Sequence, residues 1–223
     1  VGSLNMDLVV RSARIPLPGE TIIGSGFITA PGGKGANQAI AAARLGGQVA
    51  MVGRVGEDAF ASALLDNLAA AWVDARAVWR TPGASTGVAL ITVDDAGQNS
   101  IVVASGANRH LTPADVDAAE ATIAAADVVL LQLENPVDAV TRAAAIARAH
   151  GRPVILNPAP AQPLPVELLA LLDVLVPNES ETALLSGIRV DDLPSAERAA
   201  RRLLEMGIGT VILTLGERGA LLA

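Results

Sequence analysis

From residue 112 onward, short continuous apolar runs alternate with longer stretches of helical periodicity. The runs at 127–131, 154–156, 174–176 and 211–215 predict strands. The stretches at 137–149, 167–172, 179–185 and 195–206 predict helices. Thr112-Pro-Ala-Asp115 predicts one more helix start, with an N-cap residue, Pro at the first helical position and an acid at the third. Short apolar strands separated by helices predict a parallel sheet covered on both faces. The first half is patterned differently. Residues 8–11 and 21–29 are β-rich around the turn Ile15-Pro-Leu-Pro-Gly19. Pro31-Gly-Gly-Lys-Gly35 leads into an Ala-rich helix over 36–45, then a strand over 48–53 and an amphipathic helix over 57–71. Residues 86–93 and 100–104 flank Asp94-Asp-Ala-Gly97 as a β-hairpin. Val1 is expected at the end of a strand, and 219–223 as a strand just begun, so both ends are expected to cut through a sheet.

The 223 residues suit one large α/β domain, and composition narrows the chemistry. A net charge of −7 with no basic stripe excludes a nucleic-acid binder and a polybasic membrane-surface protein. Without Cys there is no disulfide framework, thiolate nucleophile or iron–sulfur cluster. Mean hydropathy is +0.45, yet the greasiest stretch, 118–133, is interrupted by Glu120 and Asp127, so no membrane span is expected. The start lacks the basic and apolar regions of a signal peptide.

Ligands of open parallel sheets sit beyond the carboxyl ends of the strands. The residues just past the predicted strands are Gln132 and Glu134, Asn157, Asn178 and Glu181, and Thr214 and Gly216. A polar site along one sheet edge is therefore expected. Pro31-Gly-Gly-Lys-Gly-Ala-Asn37 is either an ordinary turn before a helix or a backbone cradle for a ligand; it matches neither a Walker A loop nor GxGxxG. Asn178 and Glu181, at i and i+3, are either a helix cap or a pair for hydrated Mg²⁺. Gly83-Ala-Ser-Thr-Gly87 fits G-x-S-x-G, but a strand follows it where a nucleophile elbow needs a helix. His110 and His150 are expected at the surface.

In order along the chain, Gly2-Ser-Leu-Asn-Met-Asp7, Gly32-Gly-Lys-Gly-Ala-Asn-Gln-Ala39, Gln132-Leu-Glu134, Asn157-Pro-Ala-Pro160, Pro177-Asn-Glu-Ser-Glu181 and Thr214-Leu-Gly-Glu-Arg-Gly219 resemble the ribokinase group of the PfkB-type carbohydrate kinases. The resemblance implies a three-layer α/β/α domain with a mostly parallel sheet and a small β-sheet lid, its strands within about 8–29 and 86–104, across a single domain spanning 1–223. It implies transfer of the ATP γ-phosphoryl to O5 of D-ribose, with deoxyribose or fructose as alternative sugars. A non-catalytic sugar-binding relative is the rival of another class. By position, Asn5, Asp7, Gly33, Lys34, Asn37 and Glu134 would hold the sugar. Asn178, Thr214, Leu215, Gly216, Arg218 and Gly219 would hold the nucleotide, and Glu181 with Asn178 would organise Mg²⁺ through water. K⁺ as activator, a homodimer through the lid and a cytoplasmic setting are implied as well.

The resemblance also implies a catalytic Asp in a G-A-G-D motif, which residues 1–223 do not contain. The base and the monovalent-cation site are expected beyond Ala223, and the chain as it stands is expected to be truncated and not to turn over ribose.

Overall fold

A computed structural model describes residues 1–223. The chain divides into two compact units, residues 3–110 and residues 111–223 with 1–2.

In the first unit, β1 (Asn5–Arg11) pairs antiparallel with β2 (Gly26–Gly32). Helix α1 (Lys34–Arg44), β3 (Ala50–Val55), α2 (Ala59–Ala70) and β4 (Asp74–Arg80) follow, and β3 pairs parallel with β4. The hairpin of β5 (Gly87–Val93) and β6 (Asn99–Ala104) completes a four-stranded sheet in the order β2-β1-β5-β6, with β1 and β5 parallel. Its turn is chemically specified. Asp94 Oδ1 accepts from the amides of Ala96 at 3.0 Å and Gln98 at 2.8 Å, and Gly97 takes φ +79°. The core joins Leu4 and Met6 to Ile40, Met51, Val55, Leu64 and Leu68. Small buried residues (Ala36, Ala39, Ala61) are part of this core. Side chains 61, 64 and 68 form the buried stripe of α2.

In the second unit, α3 (Pro113–Ala118) and α4 (Glu120–Ala125) precede β7 (Val129–Leu131), α5 (Val137–Ala149) and β8 (Val154–Leu156). Then come α6 (Val166–Leu169), β9 (Val174–Leu175), α7 (Glu179–Ser186), α8 (Leu193–Glu205), β10 (Thr210–Thr214) and β11 (Ala220–Leu222). The sheet order is β11-β10-β9-β8-β7; β7 to β10 are parallel and β11 is antiparallel to β10. Strand positions Leu131, Leu156, Leu175 and Leu213 are buried, as are Ala143 and Ala147 of α5 and Ala196 and Ala200 of α8. The high hydropathy thus resides in buried strands and alanine faces. No helix is long and apolar enough to cross a membrane.

Several expectations need correction. Residues 1–4 carry no strand, and the first strand starts at Asn5 rather than residue 8. The strand expected over 21–29 starts at Gly26 and runs through Pro31 to Gly32. Thr21-Ile-Ile23 is β-branched, but Ile23 is 92% exposed. That segment belongs to a loop pinned by Arg14 and Glu20, whose closest approach is 2.5 Å. The helix expected from Thr112 is interrupted at Ala119, whose amide is shared between the carbonyls of Asp115 and Val116. Strand β4 was not expected. Its sequence, Asp-Ala-Arg-Ala-Val-Trp-Arg, offers no apolar run, and none of its residues is fully buried.

Candidate functional site

In the first unit, the register of β1 against β2 places Asn5 opposite Gly32 and Asp7 opposite Ala30. Asn5 is buried and Asp7 half-buried. Alternation along the strand puts both on one face of the sheet. Gly32 lies directly under the Asp7 carboxylate: a Cβ there would stand 2.5 Å from Oδ2 and 2.7 Å from Oδ1. Gly33 has φ +93°, and a Cβ would meet Asn5 N at 2.7 Å and Leu4 Cα at 2.9 Å. The two glycines therefore let the loop and β1 close on each other, a demand on shape that only glycine meets. Lys34 is the first residue of α1 and half-buried; Asn37 is exposed one turn later, its amide donating to Gly33 O at 2.8 Å.

At this helix start two backbone amides already have partners within the protein. The amide of Gly35 donates to Ser3 Oγ at 3.3 Å and that of Ala36 to Ser3 O at 3.0 Å. These amides anchor α1 to the segment before β1. Asn5, Asp7, Gly33, Lys34 and Asn37 are thus gathered around one junction of β1, β2 and α1.

In the second unit, β7 to β10 run parallel, so Gln132, Asn157, Asn178 and Leu215 follow strands that end along the same edge. Asn157 Nδ2 donates to Val176 O at 2.8 Å, tying adjacent strand ends together. Gln132 is buried, and Glu134 is half-buried just beyond β7. Asn178 caps α7: its Oδ1 accepts from Glu181 N at 2.8 Å, while its amide and Nδ2 donate to the two Glu181 carboxylate oxygens at 2.9 and 3.0 Å. This is a reciprocal capping box.

Beside it, Thr214 N donates to Pro177 O at 2.9 Å. The next loop is closed by Leu215 N donating to Gly219 O at 2.8 Å, with Gly216 at φ +58° and Gly219 at φ +87°. Arg218 forms an ion pair with Glu179 of α7. Asn178, Glu181 and the 214–219 loop are thereby brought together. Ser195, through its hydroxyl and then its amide, holds the nearby Asp192 carboxyl below its ordinary range, with Arg198 and Arg218 adding to the effect.

No three His, Cys, Asp or Glu side chains come close enough to hold a metal ion directly. The donors near α7 are all oxygen, which suits Mg²⁺, but both Glu181 oxygens are engaged by Asn178. The pair fits a hydrated ion held through water. Gly83-Ala-Ser-Thr-Gly87 leads into β5, not a helix. His150 Nε2 lies 2.9 Å from Glu120 Oε1 on the surface, and His110 is exposed.

The model of the pfkB family carbohydrate kinases matches residues 1–223. The chain belongs to this family. Among PfkB relatives, the ribokinase of Haemophilus influenzae is 45% identical over 219 residues, covering 98% of this chain and 72% of the relative. A deoxyribokinase of Salmonella typhi is 39% identical, covering 99% and 72%. The structure of Arabidopsis thaliana ribokinase complexed with ribose and ATP superposes with a TM-score of 0.89 at 34% identity, over 99% of this chain and 72% of that one. The PfkB fold is thus the mixed α/β architecture described above, and the chain is of the carbohydrate-kinase class of phosphotransferases.

Two features near these residues had no signal in the sequence. Asn108, fully buried, bonds to Leu4 and Asn5. Asp58 bonds to Thr86, 28 residues away. Gly32, by contrast, sits inside the glycine motif that stands out in the sequence.

Proposed function

We propose that the protein phosphorylates D-ribose at O5 with ATP, giving ribose 5-phosphate and ADP. The observation that carries this reading is the pairing of Asn5 and Asp7 on one face of β1, with the glycine junction pressed against them. A neutral polyol offers only hydroxyl groups. An amide and a carboxylate side by side read them as donor and acceptor. Lys34, Asn37 and the Gly33 backbone complete this set, and Glu134 is assigned as a further sugar contact. The 214–219 loop and Asn178 are assigned to the nucleotide.

In the reaction O5 bonds to the γ-phosphorus, the bond from that phosphorus to the β–γ bridging oxygen breaks, and the O5 proton passes to a base. We assign that base to no residue of 1–223. Mg²⁺, held through water near Asn178 and Glu181, would neutralise phosphate charge; K⁺ is the proposed monovalent activator. A deoxyribose kinase is the second reading, favoured by the 39% identity to the Salmonella typhi enzyme. A second copy of the chain is the proposed partner, docked on the exposed apolar positions of the four-stranded sheet.

The test is ADP release by the full-length protein with D-ribose, 2-deoxyribose and fructose as competing substrates. Ribose is expected to give the highest kcat/KM. Asp7→Asn removes a charged acceptor contributing about 1.5–3 kcal/mol, so the sugar KM should rise about 10- to 100-fold. The KM for ATP should stay within about twofold. A preference for deoxyribose, or an unchanged ribose KM in Asp7→Asn, overturns the assignment. Ribose binding in calorimetry without any turnover would support the non-catalytic rival.

A further inference from the structure

Asn108 lies in the 3₁₀ turn Gly106–His110, 0% exposed. Its side-chain amide is directed at Leu4 and at Asn5, the first residue of β1. Nδ2 donates to Leu4 O at 3.0 Å and to Asn5 Oδ1 at 2.8 Å, and Oδ1 accepts from Leu4 N at 2.9 Å. The side chain therefore takes the place of a neighbouring strand for Leu4 and, with its remaining N–H, fixes the amide of Asn5.

Asn108 is itself held. Its backbone amide donates to Ser105 O at 3.1 Å, and that of Ala107 donates to Ser85 O at 2.8 Å. The pair is also enclosed: a Cβ on Gly87 would overlap both Asn5 Oδ1 and Asn108 Nδ2.

We infer that Asn108 is a positioning residue for substrate, acting through Asn5. An amide has one oxygen acceptor and one NH₂ donor group, and Asn108 claims the oxygen of Asn5. Asn5 is thereby set to meet a ligand as a donor, next to the Asp7 carboxylate as an acceptor. The recognition unit becomes a fixed donor–acceptor pair, suited to a hydroxyl oxygen on one side and a hydroxyl proton on the other. This rests on the sugar-binding reading of Asn5 and Asp7.

The decisive experiment is a double-mutant cycle in the full-length protein, reading KM for ribose, KM for ATP and kcat. Asn108→Asp keeps the acceptor for Leu4 N but turns an oxygen toward Asn5 Oδ1. Asn108→Ser, the alternative should the Asp variant not fold, keeps a hydroxyl and loses the reach to Asn5. Either variant should raise the ribose KM about tenfold or more, with kcat and the ATP KM within about twofold. In an Asn5→Ala background the same change at 108 should have no further effect on the ribose KM. Independent, multiplying effects, or equal losses for both substrates, overturn the inference. Failure of the sugar-binding reading looks different: Asn5→Ala and Asp7→Asn would then leave the ribose KM unchanged.

Discussion

Replacing Asp58 by Ala tests how the first unit is held together. Asp58 is the N-cap of α2, accepting from Ala61 N at 3.0 Å, and it also accepts from Thr86 N at 2.7 Å and Thr86 Oγ1 at 2.6 Å. Thr86 is buried, and its Oγ1 accepts in turn from Gly56 N at 3.0 Å. Loss of the cap costs about 1 kcal/mol, and stranding the buried Thr86 amide adds about 1–3 kcal/mol. The Thr86 hydroxyl can keep its acceptor role toward Gly56, so the total is about 3 kcal/mol. The assay is favourable because both Trp residues of the chain, Trp72 and Trp79, lie in this unit and there is no Tyr. Urea unfolding followed by Trp fluorescence therefore reports on the first unit, while far-UV dichroism reports on both. The pH dependence adds a second constraint. Partial burial would raise the Asp58 carboxyl, but the Thr86 hydroxyl and the amides of Thr86, Ala61 and Phe60 outweigh it and hold the group below its ordinary 3.8. A depressed carboxyl contributes stability that is fully present above the unfolded value and lost as pH falls through the folded one. The gap between wild type and Asp58→Ala should thus be full at pH 7 and narrow progressively below about pH 3.8. A cost under about 1 kcal/mol at pH 7, or a gap that does not narrow in acid, would refute the reasoning.

Two other outcomes follow from local geometry. Trp72 sits at φ 60° just past α2, 92% exposed, with Trp72 N donating to Ala69 O and Val73 N to Leu68 O, both at 3.0 Å. This is a Schellman end with Trp where glycine is preferred; Trp72→Gly should stabilise by about 0.5–1 kcal/mol after the entropy of the unfolded chain is counted, and a lower urea midpoint by dichroism would contradict it. Val102, on the edge strand β6, is 64% exposed beside Leu90, with Phe27 and Val10 exposed on the same face. If a second copy covers this face, Val102→Glu should convert dimer to monomer in sedimentation at unchanged dichroism; a wild type already monomeric at micromolar concentration would sink the proposal.

What the sequence revealed depended on how far apart the interacting groups lie along the chain. The helix Val137–Ala149 and the strand Val154–Leu156 match expectation because burial repeats locally and the flanking turn is specified nearby. The Asn178–Glu181 box was legible for the same reason, since its partners are three residues apart. Strand β4 was hidden because its order comes from pairing with β3 across α2, not from its own alternation. Asn108 is the extreme case: its partner Asn5 is 103 residues away, and a buried Asn looks in sequence like any loop polar residue. Glycines 32 and 33 fall between these limits. Their presence marked a turn, but the reason for two of them is the Asp7 carboxylate over one and the backbone of residues 3–5 against the other. Local periodicity therefore located the scaffold and its polar edge. The groups that hold the candidate binding side chains became visible only when distant segments met, and it is at those contacts that substitutions should separate binding from folding.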